Sequence, residues 1–98
     1  MKKAQFDNLN SHYRKIWDKL MNPDGGDFHY GELKTLLSGG LGFQEFNKGK
    51  TSGSRVKFCH PETREIVMLH KPHPGDVMTR ASVKSVRDRL RDFYENAV

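Results

Sequence analysis

The chain is 98 residues long, 35% hydrophobic, and carries 17 Lys and Arg against 12 Asp and Glu, a net charge of +5. That length makes one domain with one core, and its aromatic residues with recurrent Leu, Val and Ile argue against disorder. No run of about 18 apolar residues is present to span a bilayer.

Phe6, Leu9, Tyr13, Ile16, Trp17 and Leu20 recur at spacings of three and four, which predicts one amphipathic helix over Phe6–Met21. Asn22-Pro23-Asp24-Gly25-Gly26 ends it with turn formers. A shorter helix is predicted from His29 to Ser38, carrying Leu33, Leu36 and Leu37, with Gly39-Gly40 as a left-handed stop. Three strands follow: Gly42–Phe46, Ser54–His60 and Glu65–His70. Asn47–Gly53 between the first two reads as a flexible basic loop, and His60–Arg64 as a tight hairpin turn. Short connections make the strands an antiparallel meander. Lys71-Pro72-His73-Pro74-Gly75 is neither helix nor central strand. A last helix, Thr79–Glu95, aligns Val83, Val86, Leu90 and Phe93 on one face.

The expected fold is therefore α+β: a three-stranded antiparallel sheet with its helices on one face and the other face open. Val56 and Phe58 belong to the core, which sends Arg55 and Lys57 to the open face. Residues 1–47 hold six basic and six acidic side chains; residues 48–98 hold eleven basic and six acidic, so the whole excess lies in the second half. Uneven positive charge is the footprint of a polyanion binder. A basic open sheet face beside a basic loop with Lys48 and Lys50 suits an RNA backbone. No helix-turn-helix pattern with a basic recognition helix stands out, which disfavours DNA.

The N-terminus begins Met1-Lys2-Lys3, but Asp7, Asn8, Asn10 and His12 follow where an export signal needs apolar residues. Cys59 is the single cysteine, so no intrachain disulfide is possible and a reducing cytoplasm is expected. The five histidines show no metal-ligand spacing, and no cofactor is expected. Trp17 is assigned to the core, His60 to the hairpin turn, and His12 and His29 to structural or exposed positions.

From Tyr30 to Leu90 the sequence resembles the HicA family of toxins, small mRNA interferases of bacterial toxin–antitoxin pairs. The matching pieces are Gly31-Glu32-Leu33-Lys34-Thr35-Leu36-Leu37 leading into Gly42-Phe43, and Gly53-Ser54-Arg55-Val56-Lys57-Phe58. They continue through the strand ending at His70, the Lys71-Pro72-His73-Pro74 turn, and Val83-Lys84-Ser85-Val86-Arg87 in the last helix. The likeness is to the subgroup with an extra N-terminal helix, here residues 1–26 ahead of a core over 27–98. It implies a fold like a double-stranded-RNA-binding domain, mRNA as substrate, and a HicB-type antitoxin as partner. Neither a small-molecule cofactor nor a membrane is expected among its partners.

Many members of that family carry a catalytic histidine on the second strand after a Gly-Ser pair, where this chain has Arg55. Metal-independent cleavage needs a base for the ribose 2′-hydroxyl and an acid for the leaving oxygen. Histidine suits both because it titrates near neutrality; arginine can hold a phosphate but cannot serve as the base. The catalytic candidates are then His70, which closes the third strand, and His73 in its Pro-bracketed turn. Arg55, Lys57 and Lys71, with Lys48 and Lys50, are the phosphate-binding candidates. A non-catalytic RNA-binding domain on the same fold is the alternative that Arg55 leaves open.

Overall fold

A computed structural model describes residues 1–46, 55–72 and 75–98. Helix α1 spans Lys3–Asp7 and α2 spans Ser11–Met21. The predicted single helix is broken because Asn10 takes an extended backbone and caps α2, its Oδ1 accepting from the Tyr13 N–H at 3.0 Å. The break lets α1 fold back so that Phe6 meets Trp17 and Tyr94, with ring centroids 5.4 and 5.3 Å away.

Helix α3 covers Tyr30–Lys34 and widens into a π-type turn over Thr35–Gly40, closed by the Leu41 N–H donating to the Leu36 carbonyl at 2.9 Å. This corrects the role expected of Gly39 and Gly40. Neither has a positive φ; the left-handed residue is Gly42, at +80°. What Gly39 provides is closeness, since a Cβ there would lie 2.6 Å from the Tyr13 hydroxyl.

The sheet is the expected meander in the order β1-β2-β3, made of Gln44–Phe46, Arg55–Cys59 and Ile66–His70, every pair antiparallel. The β2–β3 hairpin turns on His60, which is buried rather than a plain turn residue. Its Nδ1 accepts from the N–H groups of Glu62 and Thr63 at 3.2 and 3.3 Å, and its Nε2 lies 3.4 Å from the Gln5 amide nitrogen.

Past β3, two backbone bonds tie the chain to the start of α3: Tyr30 N–H to the Asp76 carbonyl at 2.8 Å and Met78 N–H to the Phe28 carbonyl at 2.9 Å. Thr79 then caps α4, Arg80–Glu95, by accepting from the Ser82 N–H at 3.1 Å. The helix buries Val86, Leu90 and Phe93. One hydrophobic cluster joins these to Phe6, Trp17 and Leu20 from the N-terminal helices and to Val56, Phe58, Val67 and Leu69 from the sheet. The core thus lies on one side of the sheet, and none of the described elements covers the opposite side.

Candidate nucleic-acid interface

The uncovered face is organised in cross-strand rows. Register sets Arg55 opposite His70, Lys57 opposite Met68 and Cys59 opposite Ile66; across β1 it sets Phe46 beside Lys57 and Gln44 beside Cys59. Alternation along each strand buries Val56, Phe58, Val67 and Leu69 and turns Arg55, Lys57, Met68 and His70 outward. His70 therefore shares its face with Arg55, as a base acting beside that guanidinium must. Directly opposed residues place their Cβ atoms ~4.5–5.5 Å apart. The imidazole and guanidinium are thus within reach of a single phosphate and its neighbouring ribose.

The surface between them is shallow. Arg55, Met68, Leu69 and His70 line a depression of about 260 Å³, below the ~300–1,000 Å³ of clefts that enclose small molecules. The shape suits a ligand laid across the sheet better than one enclosed in a cleft. None of the eight described side chains on this face is acidic (Gln44, Phe46, Arg55, Lys57, Cys59, Ile66, Met68 and His70).

Several cations elsewhere are already engaged. On α4, Lys84 and Arg91 pair with Asp88 at 2.8 and 3.7 Å, and the Arg87 Nε donates to the Leu20 carbonyl at 2.7 Å. Arg89 donates to the Ile66 carbonyl at 3.1 Å. Lys19 pairs with Glu32 at 2.9 Å, and Lys34 with Glu45 at 3.1 Å. Among the described residues, neither Arg55 nor Lys57 enters an ion pair. Their charge is available to an anion from solution.

Lys71 is not brought into this group. It follows His70 and so turns the other way, with its ammonium 5.5 Å from the centre of the Tyr30 ring. The Tyr30 hydroxyl donates to the Glu45 carboxylate at 2.8 Å. Burial pushes the Tyr30 phenol well above its usual range, and the Glu45 carboxylate adds to the shift. For Glu45, burial works toward a higher pKa but is outweighed by hydrogen bonds from Tyr30 and Lys34 and by the charges of Lys34 and Lys71, which hold it below its usual 4.5.

That cluster fastens α3, β1 and the segment after β3 together, and it makes stability depend on pH. A carboxyl whose folded pKa lies below its unfolded one adds stability above the unfolded value, and this stability is lost as pH falls through the folded value. Tyr30→Phe removes a hydrogen bond to a charged acceptor and is expected to cost about 1.5–3 kcal/mol near neutrality. The difference from wild type should shrink once acid protonates Glu45; urea midpoints measured at neutral and acid pH check both statements.

Phe46 is the residue that sequence patterning missed. It is 44% exposed and Met68 is 56% exposed, and the two flank Lys57 in one row. Alternation over Gln44-Glu45-Phe46 alone cannot tell which parity faces inward; the register against β2 decides it. Lys48, Lys50 and His73 lie outside the described residues. Trp17 is buried in the core, while His12 and His29 are exposed, His29 preceding α3 with its Nδ1 3.7 Å from the Asp76 carboxylate. Among the described residues no three His, Cys, Asp or Glu side chains gather as a metal site, and no helix is long and apolar enough to cross a membrane. No family model, curated protein or solved structure matches this chain.

Proposed function

We propose that this chain is a cytoplasmic RNA-binding toxin of a type II toxin–antitoxin pair, an mRNA-cleaving ribonuclease neutralised by a HicB-type antitoxin. The observation that carries the chemical half of this proposal is the Arg55–His70 pair, directly opposed on the exposed face of the sheet. The toxin–antitoxin half rests on the HicA-like run of motifs from Tyr30 to Leu90.

In the proposed reaction Arg55 holds the scissile phosphate and neutralises charge that develops on its non-bridging oxygens. His70 takes the proton from the ribose 2′-hydroxyl. The 2′-oxygen attacks phosphorus, the bond from phosphorus to the 5′-oxygen breaks, and the leaving oxygen takes up a proton from water. The products are a 2′,3′-cyclic phosphate and a 5′-hydroxyl. Lys57 lies two residues from Arg55 along β2, roughly 7 Å away, and holds a neighbouring phosphate.

Reversing both cations, Arg55→Glu with Lys57→Glu, is expected to weaken RNA binding and flatten its dependence on salt, by close to one unit of log–log slope for each phosphate no longer neutralised. Binding titrations at two salt concentrations test this; unchanged affinity and slope would contradict the assignment of the face. A second proposal, a domain that binds RNA without cutting it, draws on one observation: Arg55 stands where many HicA-like toxins carry their histidine. It predicts the same binding results and no cleavage.

A further inference from the structure

We infer that the row Phe46–Lys57–Met68 is a platform for an unpaired base, so that the ligand of this face is single-stranded rather than duplex RNA. The inference rests on the proposed RNA-binding role and adds the class of RNA.

Phe46 and Met68 are 44% and 56% exposed, yet they sit on a face whose free charges are cationic. An aromatic ring on β1 and a thioether on β3, in register on either side of the β2 lysine, form a cross-strand row with apolar ends and a cation at its centre. Duplex RNA would present that row with phosphates and ribose hydroxyls, because its bases are stacked inside the helix. That would leave the apolar groups facing charge and gain nothing from them. An unpaired base offers a π-face that covers the ring, while its phosphate meets Lys57. The next row along the strands is Arg55 with His70. A base resting on Phe46 therefore places an adjacent phosphate at the pair proposed to act on it. Charge complementarity favours a nucleic acid over an apolar peptide, since a peptide on the row would strand Lys57 and Arg55 without partners.

The test uses a short 2′-O-methyl RNA without self-complementarity, which the 2′-hydroxyl route cannot cleave, free and annealed to its complement. Fluorescence anisotropy is read for the wild type, Phe46→Ala, Phe46→Tyr and the Arg55→Glu/Lys57→Glu double variant. The wild type should bind the single strand more tightly than the duplex. Phe46→Ala should lose about 5- to 150-fold in single-strand affinity, the range for removing one stacked base, with its salt slope unchanged, and Phe46→Tyr should keep that affinity. Wild-type affinity in Phe46→Ala, with weakened binding in the double variant, would overturn the platform and leave RNA binding standing. Wild-type affinity in both, or no binding of either RNA by the wild type, would overturn both proposals and leave Phe46 and Met68 as a surface for a protein.

Discussion

Replacing His70 by alanine is expected to reduce RNA cleavage by about 100- to 10,000-fold, the usual contribution of a positioned general base, while folding and RNA binding stay near wild type. His70 is exposed at the end of β3, and among the described residues its side chain makes no hydrogen bond, so its truncation should change stability by less than ~0.5 kcal/mol. In the proposed reaction Arg55 and Lys57, not His70, hold the phosphates. The fall should therefore appear in turnover and not in affinity, and growth arrest should disappear while a HicB-type antitoxin still binds. Full activity in the variant would move the base to His73. Inactivity of the wild type would favour the domain that binds without cleaving.

The second large effect concerns the core. Phe6→Ala is expected to destabilise the chain by about 3–5 kcal/mol, a large part of the ~5–15 kcal/mol that holds a small domain together. Phe6 is fully buried against Trp17 and Tyr94, which tie α1 to α2 and to the end of α4. The N-terminal helices are thereby expected to unfold together with the sheet, in one transition. A denaturation curve followed by far-ultraviolet circular dichroism and by Trp17 fluorescence should shift as a unit. Loss of the Trp17 signal alone, with the sheet unfolding at the wild-type midpoint, would show that the N-terminal helices are a separate unit.

The sheet and the last helix were legible because their signals are local. Arg55-Val56-Lys57-Phe58 alternates cleanly, and Val86, Leu90 and Phe93 repeat at helical spacing, so the facing of β2 and α4 followed from the chain alone. The break at Asn10 was hidden because Phe6 and Leu9 continue the same apolar spacing; the cap that interrupts it is one hydrogen bond. The pairing of residues 76 and 78 with the start of α3 depends on partners more than forty positions away, beyond any window of periodicity. Lys71 shows the same limit in the site. Its charge could be counted in the sequence, but its direction is set by Tyr30 and Glu45, on elements that only the fold brings near. His70 was the reverse case: its facing hung on whether Val67 and Leu69 or their neighbours were buried, and the structure buries Val67 and Leu69.

If the open face cleaves RNA through the ribose 2′-hydroxyl, the cut ends must carry the mark of that route. Purified protein is incubated with an unstructured RNA in the presence of a chelator, and the fragments are analysed by mass spectrometry. Attack by the 2′-oxygen predicts fragments that carry 2′,3′-cyclic phosphates and 5′-hydroxyls, and none with a substrate methylated at the 2′-oxygen. Intact RNA, or fragments bearing 5′-phosphates, would contradict it.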